Sequence, residues 1–159
     1  MGSPRDQSET LVRSSVIAGV RAAGILEEAC RKGLDGSGSL QREVVRGLAQ
    51  DIGRQLDTLS KRIASDRSAG PLVDAALACA DLATLAACNI TAVPPEEARR
   101  VADAVHLAAH AADALAGAAG EENPNDRSEY LMRDARGAKW RADLASRQAD
   151  ELGASEGAS

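Results

Sequence analysis

The chain has 159 residues and a formal net charge of −5. Ala accounts for 33 residues and Leu, Ile and Val together for 30, while Phe is absent and Trp and Tyr occur once each. Strands favour β-branched and aromatic residues, so this composition argues against a protein built on a β-sheet. A single domain is expected at this length.

The distribution of charge restricts the expected partners. Residues 1–69 carry 11 basic and 9 acidic side chains, residues 70–125 carry 2 and 8, and residues 126–159 carry 6 and 7. No segment has the basic excess that binding to nucleic-acid phosphates requires, so nucleic acid is not an expected partner. No run of about 18 apolar residues is free of charge, which argues against a membrane span. The first residues lack the apolar core of a signal peptide, so we expect a cytoplasmic protein.

Clusters of Gly, Pro, Ser and Asn separate long runs with helical periodicity. These clusters lie at residues 33–39, 68–71, 89–95 and 120–125, and they divide the chain into five predicted helices. We therefore predict an all-α fold, an antiparallel bundle of four to five long helices with an Ala-rich core. The predicted domain spans residues 8–152, with flexible tails at 1–7 and 153–159.

The first two predicted helices occupy the first 65 residues. The first runs from about Ser8, a candidate N-cap, to Lys32, with Gly33 as its stop signal. The second begins near Ser39, and its apolar residues recur every three or four positions, which predicts one apolar face directed at the core. That series consists of Leu40, Val44, Leu48, Ile52, Leu56, Leu59 and Ile63.

The third predicted helix is the most apolar. Pro71 stands at its first position, where a missing N–H costs nothing, and the helix extends to Ala87 with few polar residues. Asp74 and Asp81 are seven residues apart and share one face, which we expect to be the side in contact with water. A buried carboxylate pair is the alternative interpretation.

The fourth predicted helix opens with Val-Pro-Pro-Glu-Glu from Val93 and extends to about Ala119, and a core stripe follows its apolar periodicity. The stripe consists of Val101, Val105, Ala108, Ala112 and Leu115. His106 and His110 lie on the opposite face at i, i+4 spacing, with Asp103 and Asp113 beside them. This spacing would allow a divalent metal to bridge the two imidazoles. Because no other helix supplies an obvious third ligand, a solvated polar face is the expected interpretation, and no cofactor is predicted.

The fifth predicted helix follows Asn125 or Asp126 as its cap and carries two apolar stripes. The first is an Ala seam that consists of Leu131, Ala135, Ala138, Ala142, Ala145, Ala149 and Leu152. Trp140 and Leu144 lie about 200° and 240° around the helix from Ala138. Trp framed by arginines is enriched in interface hot spots. We therefore predict self-association, or docking of a partner helix, through Gly137, Trp140 and Leu144 with Tyr130 at the edge. Insertion of this stripe into the bundle, or isolated surface exposure of its residues, is the alternative.

The three cysteines are predicted to be small, reduced core residues. Cys30, Cys79 and Cys88 form neither an even set nor a C-x-x-C pair. Cys79 and Cys88 lie on one predicted helix with a rise of about 13.5 Å between them, beyond the roughly 7 Å that a disulfide allows. No nucleophile and base motif is present, and the Gly-Ser segment before Leu40 lacks the Lys of a phosphate-binding loop.

These features predict a small cytosolic interaction or assembly module that self-associates and has no catalytic signature. The alternative is a helical bundle that binds a metal or small ligand, as an enzyme, through His106, His110 and nearby carboxylates, or through Asp81 with Cys88. The two hypotheses differ in whether polar groups converge in a pocket.

Overall fold

The structure is a computed structural model that describes residues 4–32, 39–65 and 69–122, together with Arg133 and Arg147 as single helical positions. It contains α1 (Pro4–Lys32), α2 (Ser39–Ser65), α3 (Ala69–Cys88), a 3-10 turn (Pro95–Glu97) and α4 (Ala98–Glu122). These ranges contain no strand, which confirms the all-helical prediction. The predicted fifth helix lies outside the described residues.

Two helices begin earlier than predicted. α1 starts at Pro4, so Ser8 lies within the helix and is not its N-cap. Pro is favoured in the first helical turn, where its lack of an N–H has no cost, and Pro4 therefore allows an earlier start. α3 starts at Ala69, which makes Pro71 its third residue. That position still belongs to the first turn, in which N–H groups have no partner within the helix.

The four helices surround one core. α1 packs on α2, α2 on α3, α3 on α4, and α4 returns to α1. The contact between α2 and α3 is the smallest of these four, and the contact across the middle between α1 and α3 is smaller still. A helical bundle accounts for this arrangement.

Small residues allow α1 to approach its neighbours closely. A Cβ atom on Gly19 would lie 2.8 Å from Cys79 Sγ and 3.0 Å from Leu56 Cδ1. On the opposing helix, a Cβ on Gly53 would lie 3.3 Å from the Cβ of Ala23. Axes packed through such small residues lie at the short end of the usual range of about 8–10 Å. The largest fully buried side chains are Leu26, Leu56, Leu72, Leu82, Ile90 and Leu115.

The apolar face predicted for α2 is wrong in its first half. The first three residues of the series are 76%, 55% and 46% exposed, while Val45 and Ala49 are buried beside them. Four residues turn a helix by about 400°, so side chains at repeated intervals of four drift around it by about 40° each time. The series reaches the buried side only by Leu56. We call the three exposed residues the α2 outer strip, which consists of Leu40, Val44 and Leu48.

The predicted face of the α3 aspartates and the predicted core stripe of α4 agree with the structure. All five residues of the predicted α4 stripe are buried, from Val101 to Leu115. Asp74 and Asp81 are both exposed on α3. The alternative of a buried carboxylate pair is therefore wrong, because the seven-residue spacing keeps both side chains on the outer side of the helix.

Candidate functional sites

The histidine pair lies on the outer side of α4. His110 is exposed and His106 is partly buried, and the two rings stack with centroids 6.5 Å apart and an interplanar angle of 27°. Asp103 is exposed and Asp113 partly buried on the same face. Among the described residues no group of three or more His, Cys, Asp and Glu side chains is arranged to hold a metal ion.

The predicted interface residues on the fifth helix lie outside the described residues. They are Tyr130, Gly137, Trp140 and Leu144. Their role in self-association stays a prediction from the sequence, as does the Ala seam between Leu131 and Leu152.

Two of the three cysteines are core residues. Cys30 and Cys79 are buried, and none of the three forms a disulfide. Burial raises the pKa of the Cys79 thiol to about 12. Burial also raises the pKa of Cys30, although the positive charges of Arg42 and Arg46 oppose this change. Both thiols are therefore protonated at neutral pH and are poor nucleophiles.

Cys88 is exposed, so its predicted place in the core is wrong. It lies seven residues after Asp81 and fourteen after Asp74, and this spacing places all three on the outer face of α3. The exposure of Cys88 could have been predicted from the sequence, because Asp74 and Asp81 were already expected on the side of α3 in contact with water and Cys88 shares that side. Asp81 and Cys88 do share a face, as the ligand-binding alternative requires, but the described residues supply no third ligand beside them.

A buried arginine, which the sequence did not predict, ties α2 to the connection between α3 and α4. Arg42 is 8% exposed, and its Nη1 donates a hydrogen bond to the carbonyl oxygen of Ala92 at 3.0 Å. Beside it, Gln41 Nε2 donates to Asn89 Oδ1 at 2.9 Å. Arg42 precedes Val45 by three residues and Ala49 by seven, so it shares their buried face. These contacts indicate a structural role.

An ionic network joins the end of α1 to the start of α4. Glu97 is buried, and its carboxylate lies 3.3 Å from Lys32 Nζ and 3.5 Å from Arg100 Nη1. Glu28 completes the network at 3.3 Å from Arg100 Nη2 and 3.9 Å from Lys32 Nζ. Two acids are thus balanced by two bases. Such a network holds two helices together and leaves no side chain with an obvious catalytic role.

A cleft of about 380 Å³ opens between the first half of α1 and the last turns of α2. Its volume is at the lower end of the range for small-ligand sites. Val12, Val16 and Ile63 form part of its apolar lining, and Glu9 and Arg13 are its charged residues. The lining therefore carries one charge of each sign and does not select one class of ligand.

Exposed aliphatic side chains mark one further surface. The α2 outer strip spans the first three turns of α2. On α1, Leu11 and Ile17 are more than half exposed and Val20 is slightly more than one third exposed, but Leu11 and Val20 lie about 180° apart around the helix, so the three residues form no common face. Single exposed apolar residues are ordinary, whereas several along one helix face indicate a contact surface.

No protein-family model matches the chain, and no curated protein matches it. In the described residues one segment, Gly70–Cys88, is long and apolar enough to cross a membrane, with half of its most apolar window buried in the structure. The core helix of a soluble protein has the same properties, and the structure is compatible with a soluble protein.

Proposed function

We propose that the protein is a small cytosolic interaction or assembly module that self-associates. The α2 outer strip is the observation that carries this proposal. Three aliphatic side chains in successive turns remain between 46% and 76% exposed, and apolar surface repeated in this way gains free energy when a partner removes it from water.

The proposed architecture is an antiparallel bundle with a fifth helix and an Ala-rich core. Three contacts support the antiparallel order. Lys32 and Glu97 bring the end of α1 to the start of α4, and Gln41 with Asn89 brings the start of α2 to the end of α3. The cleft joins the start of α1 to the end of α2. A fifth helix packed through its Ala seam would leave the Trp140 stripe free for a partner.

The proposed contact on the fifth helix is tested with Trp140→Ala. Truncating a hot-spot Trp should weaken self-association by about 2 kcal/mol or more, equivalent to about 30-fold in Kd, while the helical content stays the same. Sedimentation velocity over a range of concentrations measures the first quantity and circular dichroism the second.

Leu11→Ala, which shortens an exposed aliphatic side chain on α1, is the matched control and should leave the Kd unchanged. A chain that stays monomeric at high concentration, with the fluorescence of a fully buried indole at Trp140, would show that the stripe belongs to the core. The proposed contact would then not exist.

The alternative function is metal or small-ligand binding, and the stacked His106 and His110 rings are the observation that favours it. A metal bound only to the folded state stabilises it by mass action. Under the proposed function, EDTA should leave the Tm unchanged. A fall of several degrees with EDTA that the double variant His106→Ala and His110→Ala abolishes would favour the alternative.

A further inference from the structure

We infer that the α2 outer strip is covered by the same strip of a second copy of this chain, with the two α2 helices antiparallel about a two-fold axis beside Leu48. This inference rests on the proposed self-association. It places one contact between the two copies on α2, in addition to the contact proposed for the Trp140 stripe. Three features of α2 support it: exposed aliphatic side chains, a glycine beside them, and charges along one edge.

Gly47 allows a second helix to approach the strip. It lies at the edge of the strip on the outer side of α2, about 60° around the helix from Val44 and on the side away from Leu48, and a Cβ atom built on it would meet no other atom within 4 Å. The space in front of Gly47 is therefore open. A helix can cross closest to another where a side chain is absent, and the aliphatic side chains beside Gly47 can then contact the partner.

The charges along one edge of the strip select the antiparallel orientation. Glu43 and Arg54 are eleven residues apart, which is three full turns plus about 20°, so both lie on the same edge. Both side chains are exposed. Within residues 4–32, 39–65 and 69–122 neither of them forms an ion pair.

A two-fold axis midway between residues 48 and 49 sets Glu43 level with Arg54 of the second copy. In an antiparallel pair the same edge of each helix faces its equivalent, so this axis creates two Glu43–Arg54 pairs. It also places the two Leu48 side chains beside each other. A parallel arrangement would instead place the two equivalent edges on opposite sides of the contact, so Glu43 would not meet Arg54 of the second copy.

Asp51 limits the strength of this contact. It is exposed and continues the strip by one turn, so pairing brings its carboxylate towards apolar groups. Three aliphatic residues also bury much less area than the roughly 800 Å² per partner of a standard interface. A weak, reversible dimer is expected, and covalent trapping is the appropriate way to detect it.

Disulfide trapping with the full chain tests the inference. In a Cys88→Ser background, which removes the exposed native thiol, Leu48→Cys places a thiol beside the axis, and mild oxidation should give a cross-linked dimer. Arg62→Cys in the same background is the control, because residue 62 is also exposed on α2. The residue 62 positions of the two copies would be about 40 Å apart along the paired helices. Arg62→Cys should therefore cross-link at a rate at least about ten-fold lower than Leu48→Cys.

Charge exchange tests the register. In the Leu48→Cys background, Glu43→Arg alone and Arg54→Glu alone should each lower the cross-linking rate several-fold. Each substitution places two side chains of the same charge, one from each copy, opposite each other at positions 43 and 54. The two substitutions together recreate both pairs with opposite polarity and should restore the rate. Recovery of this kind is specific to pairing between copies of α2.

Three results would overturn the inference. The first is equal cross-linking at positions 48 and 62, and the second is failure of the double exchange to restore the rate. The third is slow alkylation of Leu48→Cys in a monomeric sample, which would show that another segment of the same chain covers the strip. Trp140→Ala separates this inference from the proposed contact on the fifth helix, because it should weaken that contact without changing cross-linking at position 48.

Discussion

At the scale of single residues, burial separates the three thiols into two kinds. Cys30 and Cys79 are enclosed by the core, whereas Cys88 faces outward at the end of α3. Desolvation penalises the thiolate and leaves the neutral thiol almost unaffected, so the pKa rises wherever water is excluded. Cys79 shows this effect most strongly, with a pKa of about 12.

The raised pKa of Cys79 predicts a loss of stability at alkaline pH. Its ordinary pKa is 9.0, so between pH 9 and 12 the unfolded chain loses this proton while the folded chain keeps it. The free energy of unfolding therefore falls as pH rises above about 9, by about 1.4 kcal/mol at pH 10 from this group. Urea unfolding of the protein and of Cys79→Ala at pH 7 and pH 10 measures the effect.

Cys79→Ala is expected to lose less stability between the two pH values than the unmodified protein, because it lacks the titrating group. Other groups that ionise in this range contribute to both proteins and cancel in the comparison. The same loss in both proteins would show that the folded and unfolded states hold this proton equally.

At the scale of helices, Gly19 sets how closely α1 can approach α2 and α3. Gly19→Ala should destabilise the protein by about 1–3 kcal/mol, because the new methyl group would lie 2.8 Å from Cys79 Sγ and an overpacked core must shift. Gly24→Ala on the same helix is the matched control. No atom lies within 4 Å of its added Cβ, so it should stabilise the helix by about 0.5–1 kcal/mol.

Thermal and urea unfolding of the two glycine variants measure these opposite changes. Adding Cys79→Ala to Gly19→Ala removes the closest atom and should recover part of the loss relative to Cys79→Ala alone. If Gly19→Ala and Gly24→Ala have the same effect, the close approach of α1 to α3 is not a determinant of stability.

The contrast between α2 and α4 shows which parts of the fold the sequence predicts. In α4 the apolar residues alternate steps of three and four, which keeps them on one face, and the structure buries the whole predicted stripe. In α2 repeated steps of four rotate the series, so the exposed Leu40 and the buried Leu56 cannot belong to one face. The series on the core side was present in the sequence with the correct period. It consists of the buried Val45, Ala49, Leu56 and Leu59 and the partly buried Ile52 and Ile63.

The candidate sites were less predictable than the helices because they depend on which faces meet. The outward position of Cys88 followed from its phase with Asp81, a property of one helix. The contact of Arg42 with Ala92 joins two elements that are 50 residues apart in sequence, and the cleft requires α1 and α2 to be placed side by side. Periodicity within one helix contains no information about such pairings.

At the scale of the whole molecule, the contact between α1 and α4 closes the circle of helices. The chain itself links α1 to α2, α2 to α3 and α3 to α4, whereas α4 returns to α1 through packing and the Glu97 network. Glu97 is the buried member of that network, and the side chains of its partners Lys32 and Arg100 are 48% and 41% exposed to solvent.

The last prediction concerns this closing contact. Glu97→Gln keeps the shape of the side chain but removes the charge that both Lys32 and Arg100 approach. Because Glu97 is buried and the cations are partly solvated, the expected loss of stability is about 1–2 kcal/mol, smaller than for a fully buried ion pair. The adjacent Glu96→Gln is the control, since Glu96 is exposed and no ion pair is recorded for it within the described helices.

Urea unfolding at low and high salt distinguishes a specific network from a general effect of charge. Glu96→Gln should change the free energy of unfolding by less than about 0.5 kcal/mol at either salt concentration. The loss caused by Glu97→Gln should persist in part in 1 M NaCl, because salt screens a buried carboxylate less than an exposed one. Equal effects of the two substitutions would show that the packing of apolar side chains alone holds α4 against α1.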